Sequence, residues 1–511
     1  MKKRRTILSI VLLCIVAVAV MASVFIFGKN AEYVPEVDQK ELKAAYNLLN
    51  NSLRDKAANY TDFLSETTAD FGQGDIFAKP ELGLELDNYD GLAVTLDYNE
   101  STQYIVDTTK SGLYYLVLDY KPMKNTLTDF NIAVKINDTQ GYDEMGNIAL
   151  PLYWMDETKD FPTDRYGDET APYQVRKDEW TSLYLYNNTY STAEPLLFYF
   201  EAGKNIIQVT NVSGDGLGIG NIKVENPVYD TSDYTEYHGQ YTGSVVSALI
   251  PINSVDYIEK NTSQAIYSSE NNPVLTPHDS EYKKINTLTW LDAGSEITYQ
   301  LKAPQDGLYH IAFHYKNAKE EFDVFNTIKI DGKVPFKELT NYSFESTENK
   351  WANEVLSDKE GKPFDVYLTK GIHTITLRSE QEPVDQAWKF ARLIAEHVTQ
   401  FDLEITKITG STRDDNRTWQ MTRYIPEIPD YLAAYATLIN EIKYLLQDYT
   451  PNGVNSASIS ELDKAMAFID QMAEYPDEIA LYKINLTKGR DNSVLKSVSE
   501  FSSSLLRRIL H

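Results

Sequence analysis

Gly112-Leu113-Tyr114-Tyr115-Leu116-Val117-Leu118-Asp119-Tyr120-Lys121 and Gly307-Leu308-Tyr309-His310-Ile311-Ala312-Phe313-His314-Tyr315-Lys316 are two readings of one strand. In the first, Tyr114, Leu116, Leu118 and Tyr120 alternate with Leu113, Tyr115, Val117 and Asp119. In the second, Tyr309, Ile311, Phe313 and Tyr315 alternate with Leu308, His310, Ala312 and His314. A period of two puts the first set of each on the buried face of an antiparallel strand and the second partly toward water. The register extends in both directions. Tyr104 and Tyr299 stand at the same offset before the two glycines, the strands Ile136-Asn137-Asp138 and Ile330-Asp331-Gly332 end alike, and Gly203 and Gly371 are followed at equal offsets by Ile207/Val209 and Ile375/Leu377. Residues 91–224 and 285–408 are therefore two diverged copies of one unit, which predicts tandem domains of one fold. Short alternating strands separated by turn clusters such as Val212-Ser213-Gly214-Asp215-Gly216 and Asp358-Lys359-Glu360-Gly361 predict antiparallel jelly-roll β-sandwiches.

Composition supports this fold and limits the function. Apolar residues make up 42% of 511, and Tyr, at 36, outnumbers Phe, at 19, which suits half-buried strand surfaces and polar-aromatic contacts. The formal charge is −27, and removing the five basic residues of the first thirty (Lys2, Lys3, Arg4, Arg5, Lys29) takes it to −32. Such a body repels phosphate backbones, which excludes nucleic acid as a partner. Behind that basic cluster, Ile7 to Phe27 is an unbroken apolar run, long enough to cross a ~30 Å hydrocarbon core as a helix. Cleavable signals have a shorter apolar region of about 7–15 residues, and Met21-Ala22-Ser23 is a weak cleavage site with apolar residues beyond it. The reading is an N-terminal membrane helix, with a cleaved signal as the alternative; either places the body outside the cytoplasm. The only cysteine, Cys14, lies in that run, so the body has no disulfide, thiolate metal site or thiol nucleophile.

Helical stripes occupy the rest. Leu42, Ala45, Tyr46, Leu49, Leu53 and Ala57 follow Pro35 and predict a linker helix between membrane and first sandwich. Past Gly410 come three stripes: Leu432, Tyr435, Ala436, Ile439, Ile442 and Leu446; Leu462, Ala465, Met466, Ile469 and Met472 behind a Ser458/Glu461 capping-box spacing; and Val494, Val498, Phe501, Leu505 and Ile509. The last ends on Ile509-Leu510-His511 without a capping sequence, which reads as an interruption. The expected organisation is an anchor over residues 1–30, a linker helix over 31–68, sandwiches over 69–230 and 231–410, and a small helical bundle over 411–511.

The two copies resemble carbohydrate-binding modules of the galactose-binding-like jelly-roll type. The second copy, with Trp290, Ala303 to Tyr309, Ile330 to Leu339, Tyr367 to His373, Thr409-Gly410 and Ile425-Pro426-Glu427-Ile428-Pro429, resembles the amino-terminal half of large Gram-positive extracellular solute-binding proteins of ABC transporters. The resemblance covers residues 240–511 well and 70–230 loosely. It implies an extracellular carbohydrate-binding protein serving a sugar ABC transporter permease, and a two-lobed solute-binding domain after the helices, which this sequence does not include. It also implies structural calcium near the first and last strands of the second copy, where Asp256 or Glu259 and Asp402 match by position, with oxygen ligands suited to that ion.

A sugar site needs a flat aromatic ring to stack on a pyranose, flanked by side chains that bond hydroxyls. Trp154 and Trp180 with Asp156 and Asn187 in the first copy, and Tyr342, Phe344 and Trp351 with Asn341 and Asn353 in the second, meet that description. The bland alternative is that each tryptophan closes a sandwich end or packs between domains. The loop Tyr315-Lys316-Asn317 follows a strand where related modules contact ligand, so Tyr315 and Asn317 join the candidates. No nucleophile elbow, phosphate loop or His-Glu-x-x-His is present, so the expected role is binding without catalysis. The rival reading is a surface scaffold whose sandwiches are spacers and whose helices dock a protein.

Overall fold

The computed structural model describes residues 34–53, 59–86, 88–188, 192–227, 232–262, 266–269, 284–289, 293–317, 322–347, 349–410, 414, 416–450, 456–488 and 493–506. The basic leader, the apolar run with Cys14, and Trp290 lie outside these residues. Among the described residues no helix is long and apolar enough to cross a membrane. The chain forms two compact units: one of strands, Asp55–Lys319 with Val324–Asp385, and one of helices, Met1–Arg54 and Gln386–Leu506 with Glu320–Asp323.

Both copies fold as β-sandwiches within the strand unit. In the first, the sheet Thr181–Tyr184, Gly112–Pro122, Leu217–Glu225, Leu92–Leu96 and Leu84–Glu85 faces the sheet Ser101–Thr108, Gly203–Asn211, Phe130–Ile136 and Ile148–Leu150. Tyr114, Leu116, Leu118 and Tyr120 are buried between the layers, as their alternation predicts. Leu113 and Tyr115, on the other face, are buried too, because Phe198–Phe200 and the Phe71 segment flank the start of this strand. In the second copy, Tyr342–Phe344, Val324–Ile330, Gly371–Glu380, Glu296–Ala303 and Tyr257–Lys260 form one sheet; Gly307–Tyr309 with Val366–Leu368 and Ala312–Tyr315 with Ala352–Val355 lie in the other layer. Tyr309, Ile311 and Tyr315 are buried.

The two tyrosines of the repeat are equivalent in detail. The Tyr114 hydroxyl donates to Lys110 O at 2.9 Å and the Tyr309 hydroxyl to Gln305 O at 2.6 Å, each four residues back. Leu113 and Leu308 each take a parallel bridge from the segment that enters its sandwich, from Phe71 and Val245. The turns after Ile136 and Ile330 both place two consecutive residues at positive φ, Asn137-Asp138 and Asp331-Gly332, the backbone of a type I′ hairpin. In each, the first turn residue exchanges two bonds with the neighbouring strand of the sheet: Asn137 with Ile206, and Asp331 with Thr374.

The second sandwich departs from expectation after Gly371–Glu380. In the first copy the chain continues into Leu217–Glu225, which lies between Gly112–Pro122 and Leu92–Leu96. In the second it turns into a helix, Glu382–Thr409. Strands therefore stop at 380 rather than continuing to 408. Val384, Ala387, Ala391, Ile394, Val398, Phe401 and Ile405 recur at steps of three and four and are all buried, which is helical spacing. Gly410, with φ +76°, ends the helix.

Among the described residues the α-helices are α1 Gln39–Ser52, α2 Tyr60–Glu66, α3 Tyr234–Gly239, α4 Glu382–Thr409, α5 Ile428–Leu446, α6 Ala457–Glu474 and α7 Val494–Leu506. The stripes of α5, α6 and α7 bury Leu432, Ile439, Leu446, Ile469, Val498, Phe501 and Leu505, as their period predicts. The cap of α6 is Ser456, whose hydroxyl accepts from Ile459 N, rather than Ser458. The expected linker helix is two helices with different allegiances. α1 joins the helical unit, where Val34 and Gln447 exchange hydrogen bonds of 3.1 and 3.2 Å, and α2 belongs to the strand unit.

Candidate functional site

The sequence candidates scatter. Tyr315 and Asn317 are buried and structural: the Tyr315 hydroxyl donates to Glu345 O at 3.0 Å, and Asn317 N donates to Thr347 Oγ1 at 3.0 Å. Tyr342 is half-buried. Its hydroxyl donates to Glu354 Oε1 and accepts from Ser357 N, and burial, with Glu354 adding to it, pushes its pKa up to about 12. Trp351 is half-buried, with the His314 ring stacked on it at 5.0 Å and Lys316 Nζ 5.3 Å from its centre. Trp180 packs against Tyr89 with ring centres 4.2 Å apart.

Trp154 has a different role from the loop contact expected of it. It is buried in the strand Trp154–Asp156, which with Gln174–Arg176 extends the sheet of the second sandwich by pairing Trp154 with Lys260. Beside that pair, Asp156 accepts from the hydroxyls of Tyr257 and Tyr267, so Asp156 is a strut of the seam. The proposed calcium donors do not form one set. Asp256 accepts from Asn253 Nδ2 at 2.7 Å and Glu259 from Lys177 Nζ at 2.7 Å, whereas Asp402 is buried on α4 in the helical unit, not at a strand end. Among the described residues no group of three or more His, Cys, Asp or Glu is arranged to hold a metal ion.

A concave site lies in the first sandwich, among none of the residues that sequence reasoning chose there. It starts from α2. Asn59 caps this helix, accepting from Asp62 N at 2.8 Å while its amide donates to Asp62 Oδ2 at 2.9 Å. Tyr60 N donates to Glu144 Oε2, and the Tyr60 hydroxyl accepts from Leu197 N. The rings of Tyr60 and Phe63 pack on Tyr142 at 4.9 and 5.0 Å, so a two-turn helix, too short to persist alone, is fixed by packing. Burial pushes the Tyr60 hydroxyl well above the ordinary tyrosine range, which keeps it neutral.

Between α2 and the sandwich is a cavity of about 800 Å3. Asp62, Phe63, Glu66 and residues 67–69 line one side; Asn137, Thr139, Tyr142, Met145, Tyr199 and Glu201 line the other. Tyr199 stands between the buried Phe198 and Phe200, so its ring faces outward and is 43% exposed. It pairs with Leu113, and Leu113 bridges Phe71, whose ring is 54% exposed. Directly paired residues share a sheet face, so two exposed rings stand two strand spacings apart, about 9–10 Å, and of the two Tyr199 lines the cavity. Gly112 permits this approach: a Cβ there would meet Asp70 O at 2.7 Å and Gly72 N at 2.9 Å. The available signal was Phe198-Tyr199-Phe200, an alternation that turns one aromatic ring outward; attention to tryptophans passed over it.

Residues 386–505 match the family model of the bacterial solute-binding protein 4-helix bundle domain. No curated protein matches the chain. Solved structures that match include a family 35 carbohydrate-binding module from Clostridium thermocellum, at 15% identity over 31% of this chain and 98% of that one with a TM-score of 0.17. A family 35 module from Cellvibrio japonicus matches at 17% identity over 31% and 88%, with a TM-score of 0.18. A β-(1,4)-mannanase from Podospora anserina matches at 14% identity and a TM-score of 0.18; the match covers 31% of this chain and 30% of that enzyme's length.

Proposed function

We propose that the chain binds glycans through the first sandwich and, through its solute-binding-protein helical unit, serves a sugar ABC transporter on the outer side of the membrane, held there by residues 7–27. The single observation that carries the binding role is the pair of exposed rings, Phe71 and Tyr199, on one sheet face, with Tyr199 also lining a cavity of amides, hydroxyls and carboxylates. Their separation suits stacking on two alternate sugars of an extended oligosaccharide, and Asn137 and Thr139 supply hydroxyl partners. One or two stacked rings with a few hydroxyl bonds give affinities on the order of 10 µM to 1 mM.

The test is retention of the whole chain, in a non-glycosidic detergent, on a broad glycan array. Wild type should be retained, and Phe71→Ala and Tyr199→Ala should each weaken binding about tenfold, about 1.4 kcal/mol, with little change in Tm because both rings are half in water. No retention of wild type on any glycan would end this reading. The scaffold alternative has one observation in its favour: the Trp154 hairpin, contributed by the sequence of the first copy, adds two strands to the edge of the second sandwich's sheet, a tie between the two copies that needs no ligand.

A further inference from the structure

The cavity walls carry three carboxylates, Asp62, Glu66 and Glu201, and among the described residues that line it there is no lysine, arginine or histidine. Asp62 and Glu66 are one turn apart on α2 and so share a helix face, while Glu201 follows Phe198–Phe200 on the opposite wall. Glu66 and Glu201 are both exposed and enter no ion pair with a described residue. Like charges at this helical spacing destabilise by a few tenths of a kcal/mol; Asn59 donates to Asp62 Oδ2, but the described lining supplies no cation. The same walls present Phe63, Tyr142 and Tyr199, and aromatic faces attract cations as carboxylates do. A formal charge of −27 for the whole chain adds a long-range field of the same sign.

We infer that the ligand class of this cavity is an amine-bearing glycan, one whose sugars carry protonated amino groups. This rests on the glycan-binding reading and narrows it: the sugar faces stack on Phe71 and Tyr199, and ammonium groups sit between Glu66 on one wall and Glu201 on the other. An acidic glycan is repelled, and a neutral one can donate hydroxyl bonds to the carboxylates but gains no charge attraction from them. A small polycation shares the charge chemistry but has no ring faces to stack.

The experiment is calorimetric titration of the whole chain at pH 6 in a non-glycosidic detergent with three probes: a glucosamine tetramer, the same tetramer fully N-acetylated, and spermidine. The glucosamine tetramer should bind about tenfold more tightly than its acetylated form, the effect expected of two partly exposed ion pairs. That preference should shrink with added salt and vanish in Glu66→Gln/Glu201→Gln, while Tyr199→Ala should weaken both tetramers alike. Equal binding of the two tetramers would overturn the inference and leave the glycan reading standing. A preference that survives in the Glu66→Gln/Glu201→Gln variant would overturn the assignment to this cavity. Spermidine binding as tightly as the glucosamine tetramer would overturn the glycan part of it. Failure of both tetramers overturns the inference; the array then decides separately whether any glycan is bound.

Discussion

The repeat offers a controlled exchange at its matching turns. In the first copy the turn is closed by two amides, Asn137 Nδ2 donating to Asn205 Oδ1 at 2.9 Å. At the equivalent positions of the second copy, Asp331 and His373 form an ion pair, Nδ1 to Oδ2, at 2.6 Å, and His373 Nε2 faces Thr369 O at 2.8 Å. With an acceptor opposite each ring nitrogen, the imidazolium is the form that satisfies both. Asp331 therefore holds the His373 pKa above its ordinary 6.5, against burial. Burial acts to raise Asp331, but bonds from His373 and Thr374 outweigh it and hold its pKa below the ordinary 3.8. A raised histidine gives stability fully present below pH 6.5 and lost as pH rises through its folded value. A depressed carboxylate gives stability present above pH 3.8 and lost as pH falls through its folded value. The pair thus contributes most between about pH 4 and 6.5. A charge-assisted bond is worth about 1.5–3 kcal/mol; because the Asp331 side chain is 51% exposed, screening reduces this to about 1 kcal/mol, or about 2–4 °C in the Tm of a single sandwich. Asp331→Asn/His373→Asn installs the amide pair of the first copy. Thermal melts at pH 6 and pH 8 should show wild type losing those few degrees relative to the double variant. If the difference between the two proteins is the same at both pH values, the assignment of this pair as the titrating element is wrong.

Two further perturbations follow from the packing. Lys260 is 1% exposed, with Nζ 5.4 and 5.7 Å from the rings of Tyr257 and Tyr267, and burial, opposed by Asp156, lowers its pKa to about 8. Since the folded pKa is depressed, folded Lys260 is disfavoured while charged and stability should rise with pH between about 8 and 10.5. Lys260→Met should therefore stabilise the protein at pH 7 by about 2 kcal/mol after the lost ring contacts are counted, the gain closing by about pH 10; a destabilised variant at pH 7 would contradict this in a urea titration. At Gly72, a Cβ would fall inside the ring of the fully buried Tyr114. Gly72→Ala should cost about 3 kcal/mol by overpacking; an unchanged urea midpoint would show that Tyr114 is not held as described.

Local periodicity was enough to read the strands and most of the helices from sequence. Alternation over 113–120 and 308–315, and steps of three and four over 432–446 and 494–505, depend only on which side of one element meets apolar neighbours. The repeat was legible for a related reason, since Tyr114 and Tyr309, or Asn137 and Asp331, keep their spacing to glycines that fix the turns. The segment 382–409 shows where this fails. The repeat was carried to 408 by analogy with the first copy, although the apolar residues of this segment have helical spacing, and so was followed past the point where it ends. Other features had no local signal at all. That α1 joins helices hundreds of residues away, that the Trp154 hairpin extends the other sandwich's sheet, and that α2 closes a cavity with Asn137 and Tyr199 each depend on which surfaces find complementary partners after the elements form. Pairing across such distances is set by shape and by the hydrogen bonds left open at sheet edges and helix ends, and the identity of a residue along the chain carries no record of either.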